Sequence, residues 1–236
     1  MSKLNNLAIL CAINSRSLAY LDILKKKKLL PSTIILIDVK KNYRHLKIKK
    51  NKYFKSSFNL NKYAVQNNIK LIKIKNKKVN DNKCLTAVKS LKEKYIIYAA
   101  NYGDILSKKY FNLGKKFIHV HPGKLPQYKG STTFYYEILQ KNSISYSVIF
   151  QNVKIDHGKV IYSHTFKLKN KKINKSEIDH VFDPYLRSLV LEKVIKKLKK
   201  FNKLVGKKQR KRNSKVYYII HPLLKHICIM AKPNLF

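Results

Sequence analysis

Short apolar runs that alternate with segments of helical spacing constrain the fold of this chain most strongly. The first run, "LAILCAI" at residues 7–13, ends in the polar stretch "NSRS". Apolar residues then recur at the spacing of one helix face from Leu18 to Leu24, and Pro31 stops that pattern. The next run, "TIILIDV" at residues 33–39, is typical of a buried strand. The chain therefore opens with a predicted strand, helix and strand.

Later apolar runs continue the same alternation. Further strands are predicted over residues 69–74, 95–100, 117–121, 145–151 and 159–168. Helices are predicted around residues 84–92, over 132–140 and after the Asp183-Pro184 pair, and residues 40–62 are predicted to hold a long loop and a short helix. Strands separated by helical segments predict an α/β fold, with a Rossmann-like, mostly parallel sheet and helices on both faces. Ligands of such sheets bind beyond the carboxyl ends of the strands, so functional residues are expected just after apolar runs.

The length of 236 residues predicts one substantial domain with a short appendage. We expect the domain that carries the chemistry over residues 1–202, followed over residues 203–236 by a basic linker and an apolar C-terminal tail that packs on the same domain. No apolar run is as long as a membrane span, and the first one lacks the pattern of a signal peptide. The cysteines, Cys11, Cys84 and Cys228, are odd in number and far apart, which indicates neither a disulfide framework nor a metal motif. We therefore expect a cytoplasmic protein without membrane insertion.

The charge is strongly positive, with 53 Lys and Arg against 11 Asp and Glu and a formal net charge of +42. Such an excess ordinarily suggests a polyanionic partner. The basic residues are overwhelmingly lysines spread along the chain, however, whereas surfaces that recognise phosphate favour the bidentate fork of arginine. This pattern favours drift toward lysine codons over a dedicated polyanion site. Nonspecific, salt-sensitive binding to polyanions is still expected.

Three segments that follow predicted strands carry the polar residues with the clearest chemical pattern. They are "AANYGDIL", "HVHPGKLPQYKGS" and "KIDHGKVI". The first strand is not followed by G-x-G-x-x-G, and the chain lacks G-x-x-x-x-G-K-[ST], so neither a dinucleotide fingerprint nor a phosphate-binding loop is indicated. His119 and His121 lie two positions apart on one predicted strand, so their side chains point to the same face of the sheet. With Asp156 they could form a metal site of two histidines and one carboxylate, which is one alternative reading of the residues.

The middle segment resembles the N-H-P-[SG]-x-L-P-x-[YF]-[RK]-G signature of the folate-dependent formyltransferases, which act on methionyl-tRNA, glycinamide ribonucleotide or sugars. The other two segments resemble the stretch of that family that lines the folate pocket and the stretch that carries its catalytic aspartate. The resemblance extends over roughly residues 5–200 and is strongest over 95–165. It also accounts for Pro122, Leu125 and Pro126, which a metal site would not explain.

The resemblance implies the formyltransferase N-terminal domain fold, 10-formyltetrahydrofolate as co-substrate and no metal. It gives His121 the role of general base or proton shuttle and gives Asp156 the role of orienting it. It also implies a set of residues that bind the folate, namely Ala100, Asn101, Tyr102, Gly103, Asn152 and Asp156. The turn that borders the acceptor would include Gly123, Gly130 and Ser131.

This sequence departs from the family pattern at His119, where the family has an asparagine whose amide donates to the oxyanion. An imidazole can donate one hydrogen bond from the same face of the strand, so His119 is a third candidate catalytic residue. Loss of one oxyanion donor typically lowers the rate by a factor on the order of a hundred to a thousand. Asn101 is a candidate substitute donor.

The predicted function is formyl transfer to a primary amine of a small-molecule acceptor, most simply a nucleotide-linked amino sugar. One alternative is methionyl-tRNA formylation, although the chain after the long helix is too short for the β-barrel that the tRNA enzyme carries there. Another is a catalytically impaired homologue that acts as a basic binding protein. A second copy of the chain, in a homodimer, is a further candidate partner.

Overall fold

A computed structural model describes residues 3–38, 51–55, 59–75, 78–101, 103–167, 177–210 and 214–230. The strands are β1 (Lys3–Ala12), β2 (Leu30–Asp38), β3 (Lys70–Lys75), β4 (Tyr95–Ala99), β5 (Lys116–Pro122), β6 (Tyr128–Gly130), β7 (Ser143–Phe150), β8 (Val160–Lys167) and β9 (Lys215–Tyr217). The helices are α1 (Ser15–Lys26), α2 (Leu60–Gln66), α3 (Asn82–Lys89), α4 (Lys108–Phe111), α5 (Thr133–Lys141), α6 (Asp183–Phe201) and α7 (Pro222–Met230). A π-helical turn, Ile178–Phe182, leads into α6.

The main sheet has seven strands in the order β3-β2-β1-β4-β5-β7-β8. Its first five members in that order, β3, β2, β1, β4 and β5, run parallel. Strand β7 lies antiparallel to both β5 and β8. The alternation of strands and helices in the first half of the chain produces this arrangement, because a parallel pair needs a crossover connection and a helix provides one. The predicted α/β fold with a mostly parallel sheet is confirmed.

Apolar side chains fill both faces of the sheet, because successive residues of a strand point to opposite sides. On β1, Ile9 packs with α1 and α6 on one face, and Leu10 packs with α3 and α4 on the other. Both residues are fully buried, as expected for central parallel strands covered by helices. The helices on both faces were predicted from the sequence, and the structure contains them.

Local capping explains where the first helix begins. The side chain of Asn14 accepts a hydrogen bond from the backbone N–H of Ser17, which is the usual way to satisfy a free donor at a helix start. The helix ends at Lys26, so Pro31 is not its terminator. Pro31 instead lies within β2, where its register partner is Leu4.

The region after α6 is more ordered than its predicted role as a linker implied. Lys207 pairs with Val160 at the start of β8 through two backbone hydrogen bonds of 2.8 and 2.9 Å. Strand β9 then pairs in parallel with β6 to form a second, two-stranded sheet. Cys228 of α7 is buried, and its thiol lies 3.7 Å from the backbone oxygen of Tyr135 in α5. The boundary between residues 1–202 and 203–236 stays a prediction.

The long loop and short helix predicted for residues 40–62 lie mostly outside the described residues. Of this stretch the structure describes residues 51–55 and the start of α2, which extends to Gln66. In the part of the chain that the structure describes, none of the helices has both the length and the hydrophobicity to span a membrane.

Candidate active site

Two of the three polar segments singled out in the sequence, those that contain His121 and Asp156, meet around the carboxyl end of β5. His119 and His121 both lie on this strand, and Pro122 ends it. The loop that joins β7 to β8, residues 151–159, folds back toward the strand and brings Asp156 to His121. Suitable ligand atoms of His119, His121 and Asp156 all lie within 4.8 Å of one another. The three candidate catalytic residues therefore form one cluster.

His121 is buried and has a partner at each ring nitrogen. Its Nε2 lies 2.7 Å from the backbone oxygen of Tyr128, and its Nδ1 lies 3.1 Å from Oδ1 of Asp156. A nitrogen must carry a proton to bond a carbonyl oxygen or a carboxylate, so we assign donor roles to the ring from these partners. Both contacts are satisfied together when both nitrogens carry protons. The carbonyl of Tyr128 and the carboxylate of Asp156 therefore fix the orientation of the His121 ring.

Asp156 is held by contacts to its side chain and to its backbone. Its Oδ2 accepts a hydrogen bond of 2.8 Å from the backbone N–H of Gly130, while Oδ1 faces His121. Burial alone would raise the pKa of this carboxyl, but His121 and the Gly130 N–H lower it to about 2. Asp156 is therefore ionised at neutral pH. Its φ of +57° lies in the left-handed region, which residues other than glycine rarely adopt.

Two glycines of the sequence motifs are required by close approaches of the backbone. A Cβ atom on Gly158 would lie 1.7 Å from the backbone oxygen of Phe150. A Cβ atom on Gly130, whose φ is +102°, would lie 1.9 Å from the backbone oxygen of Tyr217 in β9. These glycines fix the loops on either side of the His121–Asp156 pair, because no side chain fits at either position.

His119 differs from His121 in its electrostatic surroundings. Burial, followed by the positive charges of Arg16 and Arg187, lowers the pKa of His119 well below its usual range. The ring is therefore neutral at physiological pH and carries one N–H. Its Nδ1 is buried and has no hydrogen-bond partner among the residues that the structure describes. A neutral ring with an unsatisfied buried nitrogen can bond a polar atom of a ligand.

Arg16 and Arg187 were not predicted as parts of the site. Nη2 of Arg16 donates a 2.5 Å hydrogen bond to the backbone oxygen of Ala100, and Nη1 of Arg187 donates one of 2.6 Å to that of Val120, between the two histidines. Arg187 also binds Asp183 through Nε at 2.8 and 3.0 Å.

The sequence contained one indication that Arg16 and Arg187 have a special role. Both are arginines in a chain whose basic residues are nearly all lysines. Both are buried, whereas Arg210 is exposed.

The residues predicted to bind folate have different surroundings. Ala100 is buried, and its backbone oxygen also accepts from the side chain of Asn14 at 3.2 Å. The amide of Asn101 donates to Asp104 at 3.2 Å, which directs it to that carboxylate instead of leaving it as an open donor. Gly103 and Asn152 are exposed, and Gly103 has a φ of +81°. Tyr102 lies outside the described residues.

The predicted acceptor turn is tied to β7 and to the C-terminal tail. The backbone oxygen of Gly123 accepts a 2.8 Å hydrogen bond from the hydroxyl of Ser147, and the N–H of Ser131 donates one of 2.9 Å to the backbone oxygen of Tyr217. The ring of Tyr217 stacks on Tyr128, with 5.3 Å between the ring centroids. The tail therefore forms part of the wall that surrounds the turn.

The cluster of His119, His121 and Asp156 contains the ligand types that a transition metal accepts. Two features of the described residues disfavour a cation there. The charges of Arg16 and Arg187 act on this position, and Asp156 already has His121 and Gly130 as partners. Positive charge that acts on a neutral donor instead stabilises negative charge as it develops on an oxygen. The geometry is suited to proton transfer beside a developing oxyanion.

A sequence profile of the family described as "Formyl transferase" matches residues 8–183. The matched region contains all three polar segments and the whole of β5. Among curated proteins, the methionyl-tRNA formyltransferase of Campylobacter lari is 28% identical over 149 residues, which cover 63% of this chain and 46% of that protein. The chain thus spans less than half the length of the curated relatives it matches.

Solved structures share the fold. The N-formyltransferase of Helicobacter canadensis, solved with folinic acid and dTDP-3-aminofucose, has a TM-score of 0.59 and 19% identity over 90% of this chain and 70% of its own. WlaRD, a sugar 3N-formyl transferase solved in the presence of dTDP and 5-N-formyl-THF, has a TM-score of 0.53 and 22% identity over 90% of this chain and 69% of its own. In each comparison the fold of this chain is similar to that of a known enzyme.

Proposed function

Because the chain belongs to the formyl transferase family, we propose that it transfers a formyl group from 10-formyltetrahydrofolate to a primary amine. The contact of 3.1 Å between His121 and Asp156, made within the segments that resemble the family signature, is the observation that carries this proposal. It joins a proton carrier to an ionised carboxylate in a buried position.

The proposed reaction contains two proton transfers, and both use His121. The amine attacks the formyl carbon, so that a new C–N bond forms and a tetrahedral oxyanion develops. His121 delivers a proton to N10 of the folate as the bond between N10 and the formyl carbon breaks. The same ring then accepts the proton that the former amine nitrogen loses, which restores its starting state. Asp156 holds the ring in place before and after each proton transfer.

His119 is assigned to the developing oxyanion. Its neutral ring offers one N–H, and the charges of Arg16 and Arg187 lower the energy of negative charge nearby. In this proposal it replaces the amide that the family signature has at the same position. The replacement keeps a donor on the correct face of β5 but makes it depend on which ring nitrogen carries the proton.

We propose that the acceptor is an amino group of a nucleotide-linked sugar. Two observations support this choice: the fold matches that of enzymes solved with dTDP-3-aminofucose or dTDP, and those matches extend over 70% and 69% of the other chains. The folate is expected to lie near the loop from Ala100 to Gly103 and near Asn152, and the acceptor near the turn that includes Gly123, Gly130 and Ser131.

A second candidate acceptor is methionyl-tRNA. The curated relatives favour it because they carry that name, and the net charge of +42 would attract a polyanion. Tight tRNA binding would use the many exposed lysines and would weaken steeply with salt.

The two acceptors are distinguished by one experiment. Purified protein is given 10-formyltetrahydrofolate with either dTDP-3-aminofucose or methionyl-tRNA, and the products are analysed by mass spectrometry. Gain of one formyl group by the sugar nucleotide, and not by the aminoacyl-tRNA, is the expected result. The reverse pattern would mean that methionyl-tRNA is the acceptor. If neither substrate is formylated, the proposal that dTDP-3-aminofucose is an acceptor is rejected.

A further inference from the structure

We propose that Gln209, in the segment after α6, is a positioning residue that holds Asp156 against His121. This inference rests on the proposed formyl transfer for its catalytic meaning. The contacts that carry it are independent of that proposal, because they are made between residues of the chain itself.

Gln209 bonds the backbone of the turn that contains Asp156. Its Nε2 donates to the backbone oxygen of Asp156 at 2.7 Å and to that of Gly158 at 2.8 Å. Only the NH2 end of an amide can donate to two carbonyl oxygens, so these partners fix the orientation of the side chain. One side chain thus spans the turn from one end to the other.

The turn needs such support because of its backbone conformation. Asp156 has a φ of +57°, and a residue other than glycine keeps this conformation only where its surroundings impose it. On one side the turn is fixed by Gly158, which lies directly against the backbone of Phe150. On the other side it is fixed by Gln209. Between these points the carboxylate reaches both Gly130 and His121.

The position of Gln209 is itself determined by pairing. Two residues earlier, Lys207 makes reciprocal backbone hydrogen bonds with Val160 at the start of β8. This pairing places the segment beside the loop 151–159 before the chain continues to β9. The segment therefore contacts the loop of Asp156 through Gln209 and the acceptor turn through Tyr217. Both sides of the proposed site depend on residues beyond 202.

Hydrogen exchange distinguishes a positioning role of Gln209 from a role in the stability of the whole fold. If Gln209 only stabilised the fold, its loss would weaken protection against hydrogen exchange throughout the sheet. If it positions Asp156, its loss would release the contact between Asp156 and the Gly130 N–H and leave β1 unchanged. Exchange at Gly130 is therefore a local reporter of the Asp156 carboxylate, and it can be read without any activity.

The test uses the full chain with Gln209→Met, which keeps the size of the side chain and removes its donors. Gln209→Glu, which is isosteric and lacks the donors at neutral pH, is the second variant, and Lys208→Met at the exposed neighbouring position is the control. Amide exchange at Gly130 and at Leu10 of β1 is followed by NMR. Formyl transfer from 10-formyltetrahydrofolate to dTDP-3-aminofucose is measured on the same samples.

We expect exchange at Gly130 to accelerate in both Gln209 variants while exchange at Leu10 stays unchanged. We also expect kcat to fall by about tenfold to a hundredfold, as for a misplaced catalytic group, with KM for the folate nearly constant. Unchanged exchange at Gly130, or equal loss of protection at Gly130 and Leu10, would overturn the inference. If the unmodified chain transfers no formyl group, the proposed function fails for this acceptor, and the exchange data still decide whether Gln209 holds Asp156.

Discussion

Oδ1 of Asp156 lies 3.1 Å from Nδ1 of His121, and Oδ2 of the same carboxylate accepts from the backbone N–H of Gly130. The carboxylate thereby links the end of β5 to Gly130, in the proposed acceptor turn. Its neighbours hold the pKa of Asp156 at about 2, against the opposing effect of burial. The same contacts thus orient His121 and make the ionised form of Asp156 favourable in the folded protein.

The low pKa of Asp156 predicts a pH-dependent contribution to stability. Its folded pKa lies below that of an unfolded aspartate, so the unfolded chain binds more protons between about pH 2 and pH 4. The contribution is complete above about pH 4 and is lost as the pH falls toward 2, with a size of about 2 kcal/mol. We expect urea unfolding from pH 2 to 6 to show this difference between the unmodified protein and Asp156→Asn. If the difference in unfolding free energy between the two proteins did not depend on pH, the folded structure would not lower the pKa of the Asp156 carboxyl.

His119 is predicted to act through its single N–H. His119→Leu removes the donor and should lower kcat for formyl transfer by about a hundredfold or more. His119→Asn should raise kcat, because an amide offers a donor without depending on the tautomer of a ring. His164, which is exposed on β8, provides the control variant His164→Asn, for which no change is expected. A lower rate in His119→Asn would mean that the imidazole itself is the working group.

Arg187 should contribute strongly to stability because it joins α6 to β5. Arg187→Met leaves Asp183 buried without its main partner and removes the bond to Val120, so the free energy of unfolding should fall by about 3–5 kcal/mol. Adding Asp183→Asn to this variant should restore part of the loss, since the uncompensated charge is then gone. Arg210→Met, at an exposed position, should change the free energy of unfolding by less than about 0.5 kcal/mol. Equal effects at the two arginines would contradict the assigned role of Arg187.

Gly130 is predicted to be essential for docking of β9. Gly130→Ala places a methyl group against the backbone of Tyr217 and should cost about 3 kcal/mol or more, from steric overlap added to backbone strain. Gly114→Ala is the matched control, because Gly114 also has a positive φ but has no atoms within 4 Å of the added Cβ. Its cost should be about 1–2 kcal/mol. Similar losses of stability in the two variants, measured by urea unfolding, would mean that β9 does not restrict residue 130.

The sequence was informative wherever local chemistry decides the structure. Continuous apolar runs indicated the central strands because those strands are buried on both faces, and the motif with His121 lay directly at the end of β5. Long-range pairing was not predictable in the same way. Strand β9 has only three residues and the contact at Lys207 is a single bridge, so neither leaves a periodic pattern.

The residues that surround the site were missed for a related reason. Arg16 lies in the polar stretch "NSRS" that follows the first apolar run, and Gln209 lies in a basic stretch without apolar residues. Their roles depend on contacts with Ala100 and Asp156, 84 and 53 positions away in the chain. A single sequence shows such partners only indirectly, as with the rare arginines among many lysines.

In the proposed function, this chain transfers formyl groups by means of His121 and Asp156. The most direct measurement follows radiolabelled formyl from 10-formyltetrahydrofolate to dTDP-3-aminofucose with the unmodified protein, His121→Gln and Asp156→Asn. Asp22→Asn, which alters an ion pair on α1, is the control. We predict labelled formamide product from the unmodified protein and the control, and rates lower by about a hundredfold or more in the two site variants. Equal rates in all four proteins would mean that His121 and Asp156 do not carry the reaction, and no labelled product from the unmodified protein would mean that the chain does not formylate this acceptor.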